Sequence, residues 1–287
     1  MSSDLLVGGY RLKNMLMSGQ TSQVWEAVQE SSHRHFAVKL LLPNLVGSRE
    51  HRQTLFHEAR VAMELSHPDA IRVLEVVKDR DNPFFVMELF PSPNLKVLIM
   101  RSDPIVRERA HQLICRVAGV LAYLHEKGWV HRDVKPDNVL VNRAGQIRLI
   151  DFALATRNQG RFASLLARKP KVQGTRSYMA PEQILRKRLT PATDVYSFGA
   201  MLFELATSRP PFVGNSPNDL LVRHIHVAPS PPSLHCPELT AEFDEVVLRA
   251  LAKKPKDRFT NLHEFLAAFR EVRVYKNDPV PQEEPMR

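Results

Sequence analysis

The spacing of apolar residues changes character once along this chain, at Pro91 and Pro93. Before the prolines, the runs 10–17, 23–29, 35–42, 71–77 and 84–89 are short and β-prone, and the first three are separated by Gly, Ser, Thr and Gln. They predict a small antiparallel sheet. One helical pattern interrupts them at 49–65, with Leu55, Ala59, Ala62 and Leu65 on one face. Beyond the prolines the pattern is mainly helical, with candidates at 105–127, 191–207, 241–251 and 261–272. The 191–207 segment carries Val195, Phe198, Met201, Leu202, Phe203 and Leu205 around its circumference, so it is expected to be buried. The fold class is therefore α+β, a small sheet with one main helix followed by a larger helical part. Residues 1–9 read as an N-terminal extension and 274–287, which contains three prolines, as a disordered tail.

Several function classes are disfavoured by composition. With 44% hydrophobic and 25% charged residues over 287 positions, the chain is neither collagen-like, nor disordered, nor a membrane protein. No apolar stretch approaches the roughly 20 residues that cross a bilayer, and the first nine residues lack the pattern of a signal peptide. Cys115 and Cys236 have no paired spacing, which argues against a disulfide framework or a structural zinc site and makes the cytoplasm the expected location. Between Arg157 and Arg188 lie nine cationic residues and one carboxylate, Glu182, so this segment alone carries +8 of the overall +9. A nucleic-acid surface and a solvated loop both fit such a run. It lacks the interleaved aromatic residues of the former, so no specific nucleic-acid partner is expected.

The candidate chemistry lies in three places. Lys39 interrupts the otherwise apolar run Phe36-Ala37-Val38-Lys39-Leu40-Leu41-Leu42 and points the same way as Ala37 and Leu41. A snorkelling surface lysine is one reading of it. Glu58 supplies another, because it sits on the apolar stripe of the 49–65 helix, where an unpaired carboxylate would be costly and Lys39 is the natural partner. Further on, His131-Arg132-Asp133-Val134-Lys135-Pro136-Asp137-Asn138 places a polar cluster between the 105–127 helix and the apolar Val139-Leu140-Val141. Asp151-Phe152-Ala153 follows a second apolar strand, 147–150. Asp133, Asn138 and Asp151 offer hard oxygen ligands and a base, as magnesium-assisted phosphoryl transfer requires, although an ordinary polar loop would look partly alike.

Taken in order, these residues resemble the protein kinase family from about Tyr10 to about Val272. The likeness comprises Ala37-Val38-Lys39, Glu58, the stretch from His131 to Asn138, Asp151-Phe152, Gly174-Thr175, Ala180-Pro181-Glu182, Asp194 and Arg258. It implies the bilobal protein kinase fold as one catalytic domain over 10–273, with a small antiparallel-sheet N-lobe (10–90) and a larger, mainly helical C-lobe (91–273). It also implies ATP with Mg2+, or Mn2+ in its place. Lys39, tethered by Glu58, would contact the α- and β-phosphates, Asn138 and Asp151 would hold the metal, Asp133 would accept the substrate hydroxyl's proton, and Lys135 would neutralise the moving phosphate. The implied nucleotide-binding set is Met17, Ser18, Gly19, Gln20, Thr21, Ser22, Val24, Ala37, Lys39, Met87, Glu88, Leu89, Asn138 and Asp151. Asp194 resembles the residue that braces the catalytic loop, and Glu182 with Arg258 a structural ion pair. Lys135 and Gly174-Thr175 are features of the Ser/Thr branch. The phrases from Glu58-Ala59-Arg60 to Ser66-His67-Pro68 look most like the eukaryotic-like kinases of bacteria.

The chain departs from the family pattern in places. The phosphate-covering loop keeps only the middle glycine, Gly19, with Met17 and Ser22 at the outer positions, which predicts a stiffer lid and weaker ATP binding. Ala153 replaces the glycine after Asp-Phe, while its N–H remains available to orient Asp151. These departures keep open a kinase-shaped scaffold with little or no transfer. Asn94 stands where kinases that favour arginine near the acceptor carry an acidic residue, so with the +8 segment the expected substrates are acidic or previously phosphorylated proteins. The usual activation-segment acceptor position is Lys171, which has no hydroxyl. Ser164 and Ser177 are the nearest alternatives, and activity independent of activation-loop phosphate is expected.

Overall fold

The computed structural model describes residues 5–158 and 173–279. The chain divides into two compact units, one formed by the chain up to Ser92 together with Ile150–Ala153, the other by Pro93–Leu149 and the chain from Leu154 onward.

The first unit is built on one antiparallel sheet. Its strands are β1 (Leu6–Val7), β2 (Tyr10–Ser18), β3 (Ser22–Gln29), β4 (His35–Leu41), β5 (Val73–Val77) and β6 (Phe84–Glu88), and helix α1 (Arg49–Met63) lies between β4 and β5 in the chain. The spatial order is β1-β2-β3-β4-β6-β5. Residues read as an extension thus contain a strand. Gly8 and Gly9 both have positive φ, 54° and 83°, the conformation a two-residue hairpin turn demands, and they fold Leu6–Val7 back onto β2. A Cβ on Gly8 would lie 2.5 Å from the Phe84 ring, so glycine is required there twice over. Val7, Tyr10, Leu12, Ala27, Val38, Phe84 and Val86 form the buried cluster of this unit. Ser48 caps α1, which buries Leu55, Glu58, Ala59, Val61 and Ala62.

Helices dominate the second unit. Asn94 caps α2 (Leu95–Met100) and Asp103 caps α3 (Pro104–Glu108). Helix α4 (Ala110–Glu126) then begins anew, because Arg109 leaves helical geometry at φ −118°, ψ 20°; the single helix expected over 105–127 is two. The strand pairs β7 (Trp129–Val130) with β10 (Thr156–Arg157), and β8 (Val139–Val141) with β9 (Ile147–Leu149), follow. The chain then runs through α5 (Pro181–Ile184), α6 (Pro191–Thr207), α7 (Pro217–His226), α8 (Ala241–Ala250) and α9 (Leu262–Phe269). Every residue of α6 from Ala192 to Ala206 is buried, as its all-round apolar pattern predicts, and Ser208 ends it in the left-handed conformation.

Residues 274 and 275, expected to open a loose tail, are part of the fold. Val274 and Tyr275 are buried, and Tyr275 bridges to Leu239. Thr240 N–H donates to the Val274 carbonyl and Lys276 N–H to that of Glu238, so pairing to a segment 36 residues away holds what composition alone reads as loose chain. Residues 280–287 lie outside the described residues.

Candidate active site

Strand register assembles the first group of side chains. Residues directly opposite in an antiparallel pair share a face of the sheet. Met17 pairs with Val24, Val24 with Lys39, and Lys39 with Phe85, while Ala37 pairs with Met87. Met17, Val24, Ala37, Lys39 and Met87, singled out from the sequence, therefore lie on one face. Ser18 ends β2 and Ser22 opens β3, and the turn through Gly19, Gln20 and Thr21 is closed by Gly19 N–H on the Ser22 carbonyl at 2.9 Å. Gly19 does not have positive φ, and a Cβ there would meet nothing closer than 3.5 Å. Glu88, at the end of β6, accepts from Arg72 N–H on its side chain at 3.0 Å, and the half-buried Leu89 follows it.

The Lys39 ammonium donates to both oxygens of Glu58, at 2.6 and 2.7 Å, and both side chains are nearly buried. The snorkelling alternative is thereby excluded. Burial opposes the ammonium's charge, but the carboxylates of Glu58 and Asp151 outweigh it and raise the Lys39 pKa. Burial also pushes Glu58 up to about 7, against the pull of Lys39 and with the help of Asp151's negative charge. Two carboxylates thus act on one ammonium, a field that a cation would relieve. Asp151 has φ 65°, and its Oδ1 accepts from Ala153 N–H at 3.2 Å. Positive φ falls on Asp151 rather than on residue 153, so alanine is accommodated there without strain.

In the second unit, the loop between β7 and β8 carries Asp133, Lys135 and Asn138. Asp133 Oδ1 accepts from Thr175 N–H at 2.9 Å and from Thr175 Oγ1 at 3.1 Å, and its Oδ2 lies 2.6 Å from Lys135 Nζ. Lys135 also donates to Thr175 Oγ1 at 2.7 Å, which closes a three-residue ring. Asn138 Nδ2 donates to the Asp133 carbonyl at 2.9 Å, while its Oδ1 engages no described residue. The segment bearing Thr175 approaches closely because of Gly174, whose φ is 117° and whose missing Cβ would stand 3.1 Å from the Arg132 carbonyl.

Beneath this loop, Asp194 of α6 is fully buried and accepts from His131 N–H at 2.7 Å, Arg132 N–H at 2.8 Å and His125 Nε2 at 2.8 Å. Burial would raise its pKa, but the hydrogen bond and charge of His125, the charge of His131 and the Arg132 amide outweigh it and hold the carboxyl low. Arg132 itself has φ 72°. Gln183 donates to the Arg132 carbonyl at 2.9 Å and accepts from Ala180 N–H at 3.0 Å. Glu182 and Arg258 form a buried two-pronged pair at 2.8 and 2.9 Å. Sequence reasoning passed over His125 and Gln183, which no local pattern marks, and gave Thr175 no role of its own. Ser164 and Lys171 lie outside the described residues.

A family profile described as Protein kinase domain matches residues 10–269. The chain belongs to the protein kinase family. This kinase is 35% identical over 263 residues to a probable serine/threonine-protein kinase of Streptomyces coelicolor, an alignment covering 90% of this chain and 39% of that protein. It is 32% identical over 271 residues to the serine/threonine-protein kinase PknB of Mycolicibacterium smegmatis, covering 93% of this chain and 43% of that protein. With PknB of Mycobacterium tuberculosis the identity is 32% over 274 residues, 94% of this chain and 43% of that protein. The kinase thus spans about two fifths of the length of the relatives it matches.

Proposed function

We propose that this chain is a serine/threonine protein kinase that transfers the γ-phosphoryl group of Mg-ATP to a protein hydroxyl. The observation that carries the reading is the Asp133–Lys135–Thr175 ring, a carboxylate fixed on both oxygens beside an ammonium. A general base must be aimed before the substrate arrives, and this ring aims Asp133. On this reading Asp133 takes the proton of the acceptor hydroxyl as its oxygen bonds to phosphorus and ADP leaves. Lys135 balances charge on the phosphoryl group in passage. Lys39, fixed by Glu58, positions the α- and β-phosphates, Met17 to Ser22 cover them, and Val24, Ala37, Met87, Glu88 and Leu89 line the nucleotide.

On this reading Asn138 and Asp151 would each offer an oxygen to a divalent ion. The first has an amide oxygen that no described residue uses, and the second contributes the negative charge felt at Lys39 and Glu58. Among the described residues no group of three or more His, Cys, Asp and Glu is arranged to hold a metal alone. Two ligands completed by substrate oxygens and water are what magnesium commonly takes. The bound ion supplies charge neutralisation on the phosphate oxygens. Every charged group that transfer requires has its partner, which favours catalysis over a scaffold role.

Acidic or previously phosphorylated proteins are the proposed substrates, supported by the exposed Arg176, Arg186, Lys187 and Arg188. Asn94, which accepts from Val97 N–H at 2.9 Å, caps a helix and adds no negative charge. A cytoplasmic setting is part of the proposal, supported by the free thiols of Cys115 and Cys236. No helix among the described residues is long and apolar enough to cross a membrane. The test is incubation of the purified chain with labelled Mg-ATP and a generic protein substrate beside Asp133→Asn. Label should appear with the wild type and fall at least about 10²-fold in the variant. Equal label in the two would sink the catalytic reading.

A further inference from the structure

Gln183, the third residue of the short helix α5, is 3% exposed and touches none of the groups that would react. Its amide joins two chain segments: Oε1 accepts from Ala180 N–H at 3.0 Å, and Nε2 donates to the Arg132 carbonyl at 2.9 Å. The first bond closes the opening turn of α5 and is structural. The second is of another kind, because that carbonyl belongs to the peptide unit joining Arg132 to Asp133. On the other edge of the same unit, Asp133 N–H donates to His131 Nδ1 at 3.3 Å. Side chains thus hold both polar groups of one planar unit in a stretch that belongs to no helix or strand. Gly174 leaves room for the contact: a Cβ there would stand 3.1 Å from the Arg132 carbonyl oxygen, 3.5 Å from Asp133 Oδ1 and 3.6 Å from Gln183 Nε2.

We propose that Gln183 is a positioning residue for phosphoryl transfer, fixing the plane of the Arg132–Asp133 peptide and through it the direction of the Asp133 carboxylate. The idea rests on the kinase reading. Arg132 has φ 72°, a conformation that a non-glycine residue keeps only when its surroundings impose it. Asp194 accepts from Arg132 N–H and so holds the peptide unit before Arg132, while Gln183 holds the unit after it. Both backbone dihedrals of Arg132 lie between these two anchors. With the Gln183 donor gone, the second plane is free to rotate, and Asp133 swings away from Thr175 and Lys135.

The test uses Gln183→Glu, which separates the two bonds. A carboxyl in the third helical position still accepts from the N-cap amide, so the turn of α5 survives. An ionised carboxylate cannot donate to the Arg132 carbonyl, whereas a protonated one can. Burial and the neighbouring Asp133 carboxylate raise the pKa of a carboxyl introduced there. The kcat of Gln183→Glu should therefore fall about 10²-fold at about pH 8.5, the effect of a catalytic group misplaced by about 1 Å, with KM for ATP little changed. Its ratio to the wild-type kcat should rise again as pH is lowered toward about 6. Gln183→Met, which has no donor at any pH, should show the deficit throughout. A merely structural Gln183 would leave kcat of Gln183→Glu at the wild-type value across that range and lower only the urea midpoint of Gln183→Met. One folded variant is enough to decide, and wild-type kcat in it at about pH 8.5 overturns the proposal. Wild-type protein that labels no substrate would refute the kinase reading itself, whereas active wild type beside an equally active variant refutes only the positioning.

Discussion

Asp194→Asn is the perturbation that most directly separates holding the catalytic loop from filling the core. The change is nearly isosteric, so packing around α6 survives and the effect falls on three hydrogen bonds. Oδ2 serves both His131 N–H and His125 Nε2, while Oδ1 serves Arg132 N–H alone. A carboxylate only accepts, so His125 must carry its proton on Nε2. An asparagine will turn its oxygen toward the two donors and its NH2 toward the Arg132 amide. Two charge-assisted bonds then become neutral ones, at about 1 kcal/mol each, and a third is lost with its donor left buried, at about 1–3 kcal/mol. The expected destabilisation is about 3–5 kcal/mol.

Arg132 is where that loss reaches function. A non-glycine residue at φ 72° carries a cost of about 1–2 kcal/mol, and Asp194 is the acceptor that holds its N–H in that conformation. Released, Arg132 relaxes toward negative φ and carries Asp133 with it. Misplacement of a catalytic group by about 1 Å costs about 10²-fold in rate. Urea unfolding reads the stability, amide exchange over 129–135 reads the loop, and initial rates read the chemistry. Full amide protection at Arg132 with wild-type kcat, alongside the expected loss of stability, would refute the argument by showing that Asp194 supports only the core. In the wild type the low Asp194 pKa stabilises the fold above its ordinary value of 3.8, and that contribution is lost as pH falls through the depressed one.

Lys39→Met should cut phosphoryl transfer about 10²-fold or more yet spare the fold, because Glu58 loses the group that lowers its pKa and becomes a neutral acid at pH 7. A carboxyl raised in this way favours the folded state most below its ordinary value of 4.5 and loses that contribution as pH rises through the folded value, so the variant, raised further, should separate from wild type and melt increasingly lower as pH climbs above about 7; wild-type turnover would refute the assignment. Burial first, and then the Lys253 charge, push the His224 imidazole down to about 4, so it is neutral when folded while the unfolded chain takes a proton below about 6.5. Stability should therefore be complete above that value and fall by about 2 kcal/mol between pH 7.5 and pH 5; an unchanged slope of urea midpoint against pH in His224→Gln would overturn this. Glu182→Ala leaves the Arg258 guanidinium buried without its counter-charge and should cost about 3–5 kcal/mol, or a melting temperature lower by about 10 °C. A shift under about 2 °C would show that the carbonyls of Ala192, Ala252 and Lys253, which also accept from Arg258, suffice for it.

Legibility from sequence followed the range of the interactions involved. Lys39 and Glu58 were readable because each breaks a local apolar pattern, one in a strand and the other on a helix stripe, and a charge in such a place must find a partner. Asp194, on a helix that is apolar all round, was reached through the family resemblance instead, since a carboxylate near a helix N-terminus is ordinary. Helix α6 was bounded correctly, since Pro191 opens it and its apolar residues run to its last turn. The β1 hairpin escaped notice although Gly8-Gly9 is a recognised two-residue turn, because the strand before it is only two residues long. Val274 and Tyr275 were misjudged for the opposite reason: composition is local, and what buries them is a pairing to Leu239.

The parts of the site that stayed hidden are those in which an ordinary residue type is made functional by a neighbour remote in sequence. Thr175, His125 and Gln183 are common in loops and at helix ends; motifs flank them, and Thr175 stands in one, but no local pattern says what any of the three will touch. Each acquires its role through one contact across 42, 69 or 51 positions. Glu204 is the instructive intermediate. Its burial was foreseeable, because it stands on the same all-buried helix as Asp194, and a buried carboxylate must have a donor. Which donor could not be foreseen, since Lys96 and Tyr178 lie 108 and 26 residues away. A sequence of this kind shows where polar groups will be costly to bury. The fold decides which partners meet that cost, and at Glu204 they are a half-exposed lysine and a buried tyrosine.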